Sequence, residues 1–391
     1  MLFFRFTLGL LLITTLLQPA ISQEKKERIL TGAEQYENYK SWIEGKKIGI
    51  IANHTSFVEE MHLVDFLIEK GHQVEVIFAP EHGFRGEASD GAKIKDGKDV
   101  KTGIPIKSLY GKTRKPTSEM MENVEVLVFD IQDVGARFYT FISTMHYGME
   151  AAAEHNIPFI VLDRPNPNGN YVDGPVRDEK TKSFVGMHQI PIVHGMTVGE
   201  LAMMINGEEW LEGSLKVDLH ISQLKNYTHQ SSYSLPIAPS PNLPNDIAIA
   251  LYPSLCLFEG TVISVGRGTE LAFQQIGDPS FKNKYNYSFQ PVSMPGKSEN
   301  PKHKGSTCYG IDLSKTNPQR SFDLTYLLKF YELYSDKKSF FIGSFTRLAG
   351  TESLQKQIEM GWTEEKIRAS WEPALSQYKK MRLNYLIYPL K

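Results

Sequence analysis

From Lys46 onward, short apolar runs alternate with stretches of helical period. The first run, residues 48–52, ends at Asn53, His54 and Thr55. The segment that follows places Leu63, Val64, Leu67 and Ile68 on one helical face and stops at Gly71, a residue that tolerates the left-handed turn ending many helices. A second run, 74–79, ends at Pro80, Glu81, His82 and Gly83, and a third, 124–129, ends at Asp130, Gln132 and Asp133. A helix through Met145, Met149 and Ala152 leads to the fourth run, 159–162, which ends at Asp163, Arg164 and the turn Pro165-Asn166-Pro167-Asn168-Gly169. The second and third runs are apolar at alternate and intervening positions alike, as strands buried on two faces must be. This alternation predicts an α/β fold with a mostly parallel sheet covered by helices.

After a helix over 198–210 the period weakens, and 235–245 is rich in proline. Proline breaks helices and central strands, so this stretch reads as a linker or an ordered loop between domains. A boundary near Glu212 gives domains at 23–212 and 213–391, the second a smaller α+β unit. Within it 255–258 and 261–265 read as strands. Two helices close the chain: one from near Thr351 to Gly361, and one capped by Thr363 that buries Ile367, Trp371, Leu375 and Tyr378.

The N-terminus changes the picture of where such a protein works. Arg5 precedes an apolar run over 8–17 and the small residues Ala20 and Ser22, a secretory signal with a cut before Gln23. The run is about half the ~20 residues a membrane span needs, so the expectation is a periplasmic or secreted protein with no integral membrane segment. Cys256 and Cys308 lie far downstream, so neither offers a lipid anchor at the cut. They are compatible with one bridge or with burial as two free thiols. A net charge of −2 without a dense Lys/Arg block argues against nucleic acid and anionic membrane surfaces. Small-molecule or polysaccharide chemistry is what remains.

Acids, His and Arg gather at the same end of successive strands, where ligands bind in open α/β sheets. Glu81 follows a buried strand and is flanked by His82 and Phe84, a setting expected to desolvate its carboxyl group and favour the protonated form. Such a carboxyl serves a glycosidase as general acid. Gly83 and Gly86 allow tight turns, and Arg85 offers a clamp for an anion. The competing reading is structural: Glu81 pairs with Arg85 or caps a helix. Asp130 and Asp133 end the neighbouring strand and supply the second carboxylate of a glycosidase pair, with Asp130 the catalytic candidate and Arg137 either contacting substrate or neutralising an acid.

Cofactors are not expected. The first strand is followed by Ala52-Asn53-His54-Thr55-Ser56 and not by Gly-x-Gly-x-x-Gly, and there is no P-loop. His54, His62, His72 and His82 lack a metal-ligand spacing, and Gly-x-Ser-x-Gly is absent.

Against these residues, the sequence resembles the NamZ/YbbC-like family of bacterial exo-β-N-acetylmuramidases. The resemblance is carried by Pro80-Glu81-His82-Gly83-Phe84-Arg85-Gly86, by Val128-Phe129-Asp130-Ile131-Gln132-Asp133-Val134-Gly135-Ala136-Arg137-Phe138-Tyr139, and by Leu162-Asp163-Arg164-Pro165-Asn166-Pro167. His194-Gly195-Met196-Thr197, Pro239-Ser240-Pro241-Asn242, Leu257-Phe258-Glu259-Gly260-Thr261 and Gly266-Arg267-Gly268-Thr269 extend it over nearly the whole mature chain. Pro167-Asn168-Gly169-Asn170 departs from the Gly-rich turn expected there.

The resemblance implies release of N-acetylmuramic acid from the non-reducing end of peptidoglycan fragments. It also implies a Rossmann-like domain without nucleotide, a smaller C-terminal domain, and a site in the cleft between them. Glu81 is then the catalytic acid, and Asn53, His82, Arg85, Asp130, Arg137, Tyr139, Asn242, Glu259, Arg267 and Glu270 become pocket candidates. The lactyl carboxylate of that sugar calls for a fixed cation, with Arg85, Arg137, Arg164 and Arg267 as candidates. Its 2-acetamido group also admits a substrate-assisted route, oriented by Asp130 or Glu259. The rival function is a non-catalytic binding protein for cell-wall amino sugars, built on the same cleft.

Overall fold

The computed structural model describes residues 27–85, 96–317 and 321–391; the leader expected over 1–22 and Gly86 lie outside them. The apolar runs form the centre of a seven-stranded sheet among the described residues. Its strands are β1 (Lys47–Ala52), β2 (Gln73–Ala79), β3 (Gly97–Lys98), β4 (Pro105–Ser108), β5 (Val126–Asp130), β6 (Phe159–Leu162) and β7 (Leu219–Ser222). Their spatial order is β3-β4-β2-β1-β5-β6-β7. All pairs are parallel except β3 with β4.

Two-sided burial explains the unbroken apolar runs. On one face Ile48, Ile50, Ile77 and Ile160 pack against α1 (Tyr36–Ile43) and α2 (Leu63–Glu69). On the other, Ile51, Phe78, Phe129 and Val161 meet α3 (Phe141–Glu154) and α4 (Val198–Gly207). A reciprocal Thr197–Glu200 capping box starts α4, satisfying two backbone donors that the helix leaves open.

Two expectations are corrected here. The boundary at 212 falls too early, because β7 completes the first sheet. It is an edge strand of mixed Leu-His-Ile-Ser character with three of its four residues only partly buried, so it carries no apolar run to read. The strand expected over 255–258 is instead the end of α5 (Asp246–Leu255) and the 3₁₀ turn Cys256–Gly260. The one expected over 261–265 is irregular, held by single bridges to Phe341 and Gly277. A short apolar run buried on all sides reads alike for helix and strand.

The C-terminal half contains an antiparallel sheet of β8 (Gln275–Asp278), β9 (Tyr287–Phe289) and β10 (Cys308–Asp312), ordered β8-β10-β9. Helices α6 (Phe345–Ala349), α7 (Ser353–Glu359) and α8 (Glu364–Arg382) follow. Thr363 caps α8, whose buried face carries Ile367, Trp371, Leu375 and Tyr378. One apolar cluster runs from Phe129 and Met145 through Leu251 and Phe273 to Phe345 and Trp371, so the two halves share a core. Cys256 and Cys308 are both free and buried.

Candidate active site

A cleft of about 490 Å³ lies where the carboxyl end of β2 meets the C-terminal half. Its first wall is the turn after β2. There Gly83 N–H donates to the Pro80 carbonyl at 3.1 Å, with His82 at φ +70° and Gly83 at φ +77°. A left-handed conformation is costly for a residue with a Cβ; it aims Glu81, half-buried, into the cleft. Thr140 Oγ1, at the N-terminus of α3, donates to Glu81 Oε2 at 3.2 Å.

The facing wall comes from the C-terminal half. Arg267 Nε donates to Glu259 Oε1 at 2.5 Å and Nη2 to Oε2 at 3.3 Å, while the guanidinium lies 5.0 Å from the Phe273 ring centre. The Cys256 thiol stands 3.6 Å from Glu259 Oε2. Burial pushes that thiol well above its ordinary value, so it stays protonated and is a poor nucleophile. Lys302 Nζ donates to the backbone carbonyls of Phe258 and Glu259 at 2.9 and 3.1 Å and also to that of Thr261, fixing the segment that carries Glu259. Burial lowers its ammonium group to about 8. Aromatic side chains complete the lining, among them Tyr139, whose hydroxyl donates to the Pro239 carbonyl at 2.7 Å. Two carboxylates in one cleft lined by aromatic side chains suit a saccharide and its hydrolysis.

Of the candidate site residues read from the sequence, Glu81, His82, Tyr139, Glu259 and Arg267 line this cleft; the other candidates do not. Asp130 is fully buried and held by Arg164 through Nε–Oδ1 and Nη2–Oδ2 contacts of 2.6 and 2.9 Å, which corrects its assignment as a catalytic group. Arg164 faces a separate hollow of about 380 Å³ with Thr55, Gln132 and Tyr233. Asn53 is buried and accepts from Thr55 N–H and Oγ1 at 2.9 and 2.6 Å, tying the end of β1 together. Asp133 accepts from Gly135 N–H at 2.6 Å. Arg85 is spent on Asp99, at 2.8 and 2.9 Å, and on Asp65. Among the described residues Arg137 forms no ion pair: fully buried, it donates to the carbonyls of Pro175, Ile190, Leu348 and Ala349. Asn242 is buried and donates to the Lys297 carbonyl, and Glu270 pairs with Lys297 at the surface. Among the described residues no group of three or more His, Cys, Asp or Glu is placed to hold a metal ion.

Family models for the exo-β-N-acetylmuramidase NamZ match this chain twice, the N-terminal model over residues 48–247 and the C-terminal model over 250–388. The chain belongs to the NamZ family. It is 40% identical to the peptidoglycan β-N-acetylmuramidase NamZ of Bacillus subtilis (strain 168), in an alignment covering 98% of this chain and 99% of that protein. Two crystal structures of DUF1343 family proteins from Bacteroides fragilis NCTC 9343 share the fold. One is 46% identical with a TM-score of 0.87, covering 93% of this chain and 99% of the other. The second is 30% identical with a TM-score of 0.77, covering 92% and 99%.

In this NamZ-family cleft, sequence reasoning missed Tyr110, Arg114, Thr140, Phe184 and Arg347. Arg114 lies in the polar stretch Lys112-Thr113-Arg114-Lys115 and Arg347 on a five-residue helix, so neither is marked by a strand end. Thr140 was legible in principle, as the residue after the quoted Arg137-Phe138-Tyr139.

Proposed function

We propose that the protein is an exo-acting glycoside hydrolase that releases N-acetylmuramic acid from the non-reducing end of peptidoglycan fragments, with Glu81 as general acid. The observation that carries this reading is that Glu81 and Glu259 line one cleft, in a chain alike over its length to a peptidoglycan β-N-acetylmuramidase. Glu81 protonates the leaving oxygen as the bond from that oxygen to the anomeric carbon breaks, and water, directly or after the 2-acetamido oxygen has added, completes the bond to that carbon and gives up its proton to a carboxylate of the cleft. Glu259 is held beside the Arg267 guanidinium. Such a carboxylate orients the 2-acetamido N–H or faces the positive charge that develops on the sugar ring.

The decisive measurement is turnover of a chromogenic β-N-acetylmuramide by the wild type and by Glu81→Gln. A fall of about 10²-fold or more at unchanged thermal stability supports the assignment. A variant as active as the wild type removes Glu81 from the role, and binding without turnover in both supports the amino-sugar binding protein instead. The N-terminal signal supports export to the periplasm or beyond, with a mature chain starting at Gln23; mass spectrometry of the native protein tests it.

A further inference from the structure

We propose that Arg114 and Arg347 bind the lactyl carboxylate of the terminal sugar, an inference that rests on the muramidase reading of this cleft. Among the described residues, three arginines and two glutamates line the cleft. Among them, Arg267 is matched by Glu259, while Arg114 and Arg347 line the same cleft. Every arginine that the sequence marked for an anion is occupied: Arg85 by Asp99, Arg137 by backbone carbonyls, Arg164 by Asp130, and Arg267 by Glu259. Among the described residues, Arg114 and Arg347 meet no carboxylate.

Both are nonetheless positioned. The Arg114 guanidinium lies 4.3 Å from the centre of the Phe184 ring, and that ring is stacked on Tyr147 at 6.3 Å and 12°. Stacking holds a planar cation in one orientation while leaving its edge for a planar anion. Phe184 sits in a tight turn closed by reciprocal Ser183–Gly186 backbone bonds of 3.2 and 3.0 Å. A Cβ on Gly186 would stand 3.5 Å from the Arg347 carbonyl oxygen. The Arg114 guanidinium and the Arg347 backbone therefore border the same turn, one from each half of the chain. Arg347 lies in the last turn of α6, whose Leu348 and Ala349 carbonyls are gripped by Arg137. A muramyl residue differs from a glucosaminyl one by the lactyl ether, and two cations beside an aromatic floor give the selectivity that a neutral pocket lacks.

The test compares an aryl β-N-acetylmuramide with its lactyl methyl ester, which keeps shape and removes charge, in the wild type and in Arg114→Leu, Arg347→Leu and the corresponding Lys variants. The wild type should prefer the acid by about 10-fold or more in kcat/KM. Each Leu variant should raise KM for the acid about 10-fold with little change for the ester, and Lys should restore part of the loss. No preference in the wild type, or equal losses on acid and ester, overturns the proposal. If the wild type turns over neither glycoside, the muramidase reading fails, and calorimetry with free N-acetylmuramic acid and its methyl ester still tests the pair. Binding of the acid that vanishes in Arg114→Leu/Arg347→Leu supports it; binding of both alike, or of neither, sinks it.

Discussion

Thr140 Oγ1 donates to Glu81 Oε2 across 3.2 Å, joining the start of α3 to the turn after β2. The hydroxyl ties the carboxyl to a rigid, almost wholly buried helix, so it acts as a positioning group. Thr140→Val keeps the shape and removes the donor. We expect kcat to fall by about 3- to 10-fold with KM nearly unchanged, and Thr140→Ser to recover most of it. A pH–rate profile that is displaced in the Val variant and normal in the Ser variant separates positioning from simple loss of packing.

The Asp130–Arg164 pair makes a different forecast. With both side chains nearly out of solvent, removing one partner strands a buried charge. Asp130→Asn should cost about 3–5 kcal/mol in urea unfolding. Its folded fraction should keep turnover close to wild type, in contrast to Glu81→Gln. Loss of kcat in a stable Asp130→Asn protein would return Asp130 to the catalytic machinery.

Backbone strain at His82 can be isolated by comparing two truncations. His82→Ala and His82→Gly both delete the imidazole, but only glycine occupies φ +70° without a steric penalty. The Gly variant should be the more stable by about 1 kcal/mol. Equal melting temperatures would mean that the turn relaxes once the ring is gone.

What the sequence conveyed and what it withheld divide along physical lines. β1, β2, β5 and β6 were legible because both faces of each are covered, and α8 because a cap precedes a regular apolar stripe. Glu81 was legible because it ends such a strand. Asp130 ends one equally well, yet Arg164 from the next strand end closes over it; pairing across strands has no linear signature. The same holds for Arg137, whose acceptors at Leu348 and Ala349 lie more than two hundred positions away. Arg114 sits in a polar stretch and Arg347 on the exposed side of a five-residue helix, so only the folded chain brings them to the cleft.

The Arg85–Asp99 contact predicts a pH effect. The Arg85 guanidinium, then the Thr102 hydroxyl, hold the Asp99 carboxyl down at about 2, against an ordinary value of 3.8. A carboxyl lowered by folding contributes stability that is present in full above its unfolded value and lost as pH falls through the folded one. This contribution should therefore fade between about pH 4 and pH 2. Asp99→Asn, lacking the charge, should be less stable than wild type at pH 6 and should show a shallower decline across that window. Parallel declines would show that Asp99 does not titrate there.

Arg137 is the hinge on which the geometry of the far wall depends. Its guanidinium, fully buried, donates to Pro175 and Ile190 at 2.8 Å and to Leu348 and Ala349 at 3.1 and 2.7 Å. It thereby pins the end of α6, beside Arg347, to the N-terminal half. Arg137→Met leaves four buried carbonyls without these donors, and a loss of at least about 3 kcal/mol is expected. Lys, with fewer donors on a thinner stem, should fall between. Gly350 makes the point without touching the arginine. It has φ +73°, and a Cβ there would lie 2.4 Å from Arg137 Nη2, so Gly350→Ala must either move the guanidinium or shift the end of α6. We expect Gly350→Ala to lower the melting temperature and to raise KM for the muramyl substrate more than it lowers kcat, because it displaces Arg347 and leaves the Glu81 turn in place. A variant that melts early yet binds substrate normally would show that α6 keeps its position without the Arg137 contact.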